Sequence, residues 1–204
     1  MTRTQIINHL IHCFDYQSYL EIGVDRGINF NAIELDTSQK VGVDPKDLNW
    51  ISGVIRLSSD EYFALHSRRF DIVFIDGLHH EMQVYQDILN SLAALNPNGT
   101  IVCHDMNPRQ YKQQAVPRLQ QNWTGDCWKA WVRLRSERAD LEMHVVNADF
   151  GCGIIRRGFQ TCINIPLNLD WRGFYRNRNK WLNLISTQDF MLKFPGPKMI
   201  VPRV

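Results

Sequence analysis

Short apolar runs alternate along the chain with segments whose apolar residues recur every three or four positions. Ile6, Ile7, Leu10 and Ile11 share one helical face and predict a helix over residues 3–13. A strand at 19–22 leads through two glycines into a helix at 28–35. The next strand, 40–43, stops at Asp44-Pro45, because proline cannot carry a central ladder onward. A short strand at 54–57 and a helix at 59–65 precede a near-continuous apolar strand at 71–75. A helix over 82–95 ends at the breaker cluster Asn96-Pro97-Asn98-Gly99, before a strand at 100–103.

Strands and helices in that alternation predict an α/β fold, a parallel sheet of five strands with helices on both faces. A helix at 124–137 follows, and strands at 141–146 and 152–156, joined by "NADFG", read as an antiparallel hairpin. From residue 159 the chain is rich in aromatics, arginine and proline. That stretch, 159–204, reads as an extension with one helix near 176–185, packed on the core of residues 1–158 rather than folding independently.

Composition narrows the function classes. The 204 residues are 44% hydrophobic and 22% charged, as in an ordinary globular protein large enough for a sizeable core. A net charge of +2 makes no strong electrostatic case for nucleic acid or a membrane surface. No run approaches the roughly 18 apolar residues of a membrane span, and no secretory signal is apparent. Five cysteines without paired spacing read as reduced thiols, so a cytoplasmic location is expected.

In an open parallel sheet, ligands bind beyond the carboxyl ends of the strands. Those ends carry Glu21 and Gly23, Asp44, Ser59 and Asp60, Asp76 with His79, and His104 with Asp105. Each alone fits a helix cap or a solvated turn; together they would line one crevice. Gly23 and Gly27 allow a tight turn and close approach of backbone to a ligand. Asp25 stands where the dinucleotide fingerprint has its middle glycine, so a pyrophosphate is disfavoured and an amino or sulfonium group suits the turn better. Asp44 follows about 20 residues after the turn begins, where an acid can accept bonds from both ribose hydroxyls.

The stretches "YLEIGVDRG", "KVGVDP", "FDIVFIDGLHHEMQVYQDILNSLAALNPNGTIVCHD" and "GCGIIRRG" resemble the class I S-adenosylmethionine-dependent methyltransferases. Within them the chain is most similar to the metal-dependent small-molecule O-methyltransferases with an "IDGxH" fourth strand, over roughly residues 17–158. The resemblance implies a Rossmann-like sheet of seven strands, five parallel and the last two a hairpin. It implies S-adenosylmethionine as cofactor, with Glu21, Gly23, Asp25 and Gly27 at its methionine end, Asp44 at the ribose, Ser59 and Asp60 on the adenine side, and Asp76 beneath. It also implies His79 as the general base and a divalent ion, Mg²⁺ or another, on Asp76, His104 and Asp105. His104 departs from the family's oxygen ligand. Imidazole suits Zn, Fe, Ni or Mn better than Mg²⁺; alternatively His104 faces away, or the site works without metal.

The acceptor implied is a small-molecule hydroxyl, on a sugar, polyketide or phenol. A lid is expected from the N-terminal helix, residues 107–126 and the extension. Arg109, Tyr111, Lys112, Arg118 and Trp123 in it read either as substrate contacts or as a solvated loop. The mixture "WRGFYRNRNKW" can stack on bases, but a homodimer contact or core packing is the more ordinary account. Two other functions compete: a protein that binds S-adenosylmethionine for regulation without turnover, and a dinucleotide oxidoreductase, against which Asp25 argues.

Overall fold

The computed structural model describes residues 1–196, so the proline-rich end of the extension, from residue 197 on, lies outside the described residues. Among them eight strands form one sheet, in the order β3-β2-β1-β4-β5-β7-β6-β8. In chain order these are β1 (Tyr19–Ile22), β2 (Lys40–Val43), β3 (Val54–Ile55), β4 (Phe70–Ile75), β5 (Leu95–Cys103), β6 (Leu141–Val146), β7 (Cys152–Arg157) and β8 (Leu184–Ile185). The first five are parallel, and β7 pairs antiparallel with both β5 and β6, as the hairpin reading expects. The eighth strand corrects the expectation of seven: Leu184 and Ile185, read as the end of a helix, pair in parallel with Val145 and Val146 of β6.

Alternation along the strands builds a core on each face. Val73 and Ile75 of β4 join one cluster with Val84, Ile88, Trp128 and Trp131, while Ile72 and Phe74 join the other with Ile6, Ile7, Leu10 and Phe190. The first face is covered by α4 (Glu81–Ala94), α6 (Cys127–Glu137) and α7 (Trp171–Leu182), the second by α1 (Arg3–Phe14) and α8 (Thr187–Lys193). Phe174 and Trp181 of α7 are buried beside Trp128, so two of the four aromatics of the arginine-rich stretch pack in the core, while Tyr175 is exposed. No described helix is long and apolar enough to cross a membrane.

Several boundaries differ from the sequence reading, the larger shifts for local reasons. The helix expected at 28–35 is one turn, α2 (Ile28–Asn31), because the buried Lys40 ammonium takes the Phe30 and Ile33 carbonyls at 3.0 and 3.3 Å. The breaker cluster at 96–99 ends α4 but lies inside β5, where the ladder with β4 shifts register between Phe70–Leu95 and Ile72–Thr100. Gly125, at φ 58°, delays α6 to Cys127. In the extension, Asp170 caps α7 five residues earlier than expected by accepting from Gly173 N at 2.7 Å. Left-handed Asn183 ends α7, and a Ser186 capping box starts α8, which the sequence reading missed.

Candidate active site

The carboxyl ends of β1, β2, β4 and β5 open into one cavity of about 1050 Å³. Every residue assigned from the sequence to the cofactor, the base or the metal lines it except Gly27, which sits just behind the turn as the N-cap of α2.

Its first wall is the glycine turn. Gly23 has φ 86°, and a side chain there would collide with the Asp76 carbonyl, so only glycine lets the turn pass over the end of β4. Asp44 is buried and its carboxylate closes the turn: Oδ2 accepts from Val24 N at 3.0 Å and Asp25 N at 2.9 Å, and Oδ1 from Lys46 N at 2.8 Å. Asp25 lines the cavity, and its side chain is 68% exposed and pairs with Lys46 at 2.6 Å. Glu21 lies deeper, accepting from the Tyr19 hydroxyl and from Asn29 Nδ2 at 2.9 Å. Burial pushes the Glu21 carboxyl up to about 8, against the pull of those two hydrogen bonds.

A second wall is the start of α3 (Ser59–Leu65). Gln83 of α4 donates to Ser59 Oγ and to Asp60 Oδ1, both at 3.2 Å, which ties that helix start to α4.

The remaining wall is a charge cluster at the ends of β4 and β5. Asp76 Oδ1 lies 3.4 Å from His79 Nε2 and 3.3 Å from His104 Nδ1. Asp105, left-handed at φ 63°, places Oδ2 3.2 Å from His79 Nδ1 and Oδ1 3.2 Å from His104 Nδ1. Burial would raise Asp76, but the two imidazoles and Arg3 outweigh it and hold the carboxyl well below its usual range. Burial works likewise against a charged His79 and His104, yet the facing carboxylates hold both rings above their ordinary value.

Three further groups close the cluster, and the sequence reading assigned none of them to it. Arg3 Nη1 reaches Asp76 Oδ2 at 2.6 Å. Asp149, from the turn between β6 and β7, lies 3.4 Å from His104 Nε2 and accepts from Arg3 Nε at 3.0 Å. Trp123 stacks on His79 with ring centroids 5.4 Å apart, and its carbonyl lies 3.3 Å from His79 Nδ1. An acid in a turn at the end of β6 was the available signal for Asp149; nothing local marked Arg3. Of the other lid residues, Arg118 lies over the Trp123 ring and lines the cavity, whereas Arg109 bonds to Asn147 and Tyr111 meets Trp171.

The cluster also offers a metal-type donor set. Among the described residues Asp76, His79 and Asp105 each bring one ligand atom within 4.8 Å of the others, so the converging trio contains His79 where the resemblance implied His104. His104 is 3% exposed behind the trio, and neither ring nitrogen makes a hydrogen bond of good geometry. Two carboxylates with imidazole, one ring left without hydrogen bonds, fit a divalent transition ion.

Residues 11–106 match a family model described as a methyltransferase domain. No curated protein matches the sequence of the chain. Among solved structures the chain is similar to the O-methyltransferase TomG of tomaymycin synthesis from Streptomyces achromogenes, in complex with S-adenosylmethionine. That match has a TM-score of 0.58 at 12% identity, covering 76% of this chain and 79% of that one. It is also similar to an O-methyltransferase from Bacillus cereus in complex with S-adenosylhomocysteine, with a TM-score of 0.54, 13% identity and coverage of 76% and 80%. A methyltransferase from Podospora anserina, bound to S-adenosylhomocysteine, gives a TM-score of 0.56 at 16% identity, covering 76% and 78%. The chain is thus similar to methyltransferases over residues 11–106 and shares the fold of these S-adenosylmethionine- and S-adenosylhomocysteine-bound structures.

Proposed function

We propose that the chain methylates a hydroxyl of a small molecule with S-adenosylmethionine, and that His79 takes the hydroxyl's proton. The cofactor's methionine end lies against Glu21 and the turn at Gly23, its ribose beside Asp44 and its adenine towards Ser59 and Asp60. Asp44 accepts three backbone N–H groups already, which leaves Oδ1 with room for one ribose hydroxyl.

The observation that carries the base is the set of partners around His79. Two acceptors, Trp123 O and Asp105 Oδ2, face Nδ1 against one, Asp76 Oδ1, at Nε2, so once the ring is neutral the hydrogen sits on Nδ1; the carboxylates that hold the ring above its ordinary value set the pH above which that neutral base is available. Nε2 is then the bare nitrogen, beside Asp76 Oδ1 on the cavity side. A proton taken there leaves an imidazolium between two carboxylates, while Trp123 fixes the ring plane. The hydroxyl oxygen, relieved of its proton, attacks the sulfonium methyl in line; the sulfur–methyl bond breaks with its electron pair going to sulfur, and S-adenosylhomocysteine leaves as the neutral thioether.

Asp76 and Asp105 would hold a divalent ion, with His79 kept as the base rather than as a third ligand; such an ion would lower the pKa of the acceptor hydroxyl. An acceptor with a phenol or sugar hydroxyl fits a cavity walled by Trp123, Leu78 and Phe150.

The test is His79→Ala and His79→Gln, assayed by methyl transfer from labelled S-adenosylmethionine to a panel of phenols, sugars and polyketides. Turnover is expected to fall about 10²- to 10⁴-fold, with S-adenosylhomocysteine affinity within about twofold of wild type. Turnover retained with cofactor affinity lost would reject the base. A wild type that binds S-adenosylmethionine and turns over nothing would favour a regulatory binder.

A further inference from the structure

Arg3 opens α1, and its side chain points into the cavity rather than into solvent. Its guanidinium bridges two carboxylates from distant segments. Nη1 donates to Asp76 Oδ2 at 2.6 Å, while Nε and Nη2 donate to Asp149 at 3.0 and 3.3 Å. The Arg3 backbone N–H adds a third bond to Asp149 at 2.8 Å. Asp149 is held for this contact: it, Phe150 and Gly151 are all left-handed, at φ 44°, 59° and 93°. That turn is docked on the end of β5, where Met106 N and Asn107 N donate to Gly151 O and Phe150 O at 3.1 and 2.7 Å. The result divides Asp76 between two sets of partners. Oδ1 faces the imidazoles of His79 and His104, and Oδ2 is capped by Arg3.

We infer that Arg3 is the site's resident cation: it competes with a divalent ion for Asp76, and so makes ion affinity depend on whether the first turn of α1 is docked. The inference rests on Asp76 and Asp105 being the ion's ligands. A guanidinium fixed on one oxygen of a carboxylate denies the ion a second contact there. It also adds a positive charge next to the ion's seat, in a partly desolvated cavity where repulsion is weakly screened. By reciprocity, an ion that binds must loosen the Arg3–Asp76 contact by the same factor.

The experiment is calorimetric titration of Mn²⁺ and Zn²⁺ into the whole chain, as wild type, Arg3→Ala, Arg3→Lys and Arg26→Ala. Arg26 lines the same cavity and is exposed, so its removal takes away a charge without touching Asp76. Arg3→Ala is expected to tighten ion binding at least about tenfold, the worth of one charge-assisted hydrogen bond. Arg26→Ala should change it less than twofold, and Arg3→Lys should stay nearer wild type than Arg3→Ala. The gain in Arg3→Ala should vanish when Asp76→Asn and Asp105→Asn are added, which locates the ion. S-adenosylhomocysteine affinity and thermal unfolding of Arg3→Ala establish that the variant is folded. Equal ion affinity in wild type and Arg3→Ala overturns the inference and leaves the metal reading standing. An equal gain in Arg26→Ala also overturns it, by reducing the effect to net charge. No ion binding in any variant overturns both, and binding that appears only in Arg3→Ala supports the inference in its strongest form.

Discussion

Two walls of the cavity, the glycine turn and the charge cluster, are built on opposite plans. The glycine turn is finished in itself: Asp44 accepts three backbone donors from within a few residues of β1 and β2, and Glu21 is bonded by neighbours of its own strand and of α2. The cluster at the ends of β4 and β5 draws on five segments, from Arg3 to Asp149. It keeps His104 buried among carboxylates with no hydrogen bond of good geometry. A wall of the first kind is rigid before the ligand comes, and it positions. One of the second kind holds charges that a proton or cation can rearrange, and it reacts. The difference predicts that damage to the turn is paid in stability and cofactor affinity, and damage to the cluster in turnover.

The hardest test of that division is Gly23→Ala. The methyl would meet the Asp76 carbonyl, and the backbone would remain left-handed. Strain and overpacking together should cost about 2–6 kcal/mol in denaturant unfolding, with S-adenosylhomocysteine affinity down more than tenfold. If the variant keeps wild-type cofactor affinity while turnover collapses, the turn belongs with the reactive wall and the division fails.

The same contrast explains what could be read from the sequence. The turn was legible because its determinants are local: Glu21, Gly23 and Gly27 lie within one strand–helix connection, and Asp44 ends the adjacent strand. Asp76, His79, His104 and Asp105 were legible as a set because parallel strands bring their carboxyl ends to one edge. Arg3 and Asp149 were not, because they meet across 146 positions and no periodicity links a helix start to a hairpin turn. The one-turn α2 escaped for a similar reason: the lysine that takes its carbonyls is seven to ten residues away and belongs to β2. Strand β8 escaped because two residues paired at a sheet edge carry no pattern of their own.

A medium effect sharpens the account of Glu21. Burial raises its carboxyl from 4.5 to about 8, so between those values the folded chain holds a proton that the unfolded chain has released. The contribution to stability is therefore complete below about pH 4.5, falls as pH rises, and is gone above about 8. Glu21→Gln removes the titration and should flatten this part of the profile, when unfolding of both proteins is followed from pH 5 to 9. An unchanged slope in the variant would place the titrating group elsewhere. Glu21→Gln should also bind S-adenosylmethionine more weakly above about pH 8, where Glu21 is ionised and can pair with the ammonium of the methionine end proposed to lie against it.

The smallest effect is expected at Asp25, and it separates backbone from side chain within the turn. Its left-handed backbone, at φ 50°, helps aim two N–H groups at Asp44, but its carboxylate points outward to Lys46, with both partners more than 60% exposed. An exposed pair of this kind contributes at most about 1 kcal/mol. Asparagine tolerates the left-handed region nearly as well as aspartate does. Asp25→Asn should therefore leave stability within about 1 kcal/mol of wild type and change cofactor affinity less than twofold. Asp25→Val keeps neither the carboxylate nor the tolerance for positive φ, and should lose stability through the backbone alone. A large loss of S-adenosylmethionine affinity in Asp25→Asn, without loss of S-adenosylhomocysteine affinity, would instead mean that the carboxylate leaves Lys46 and turns to the sulfonium charge. The turn would then share the electrostatic work assigned to the other wall.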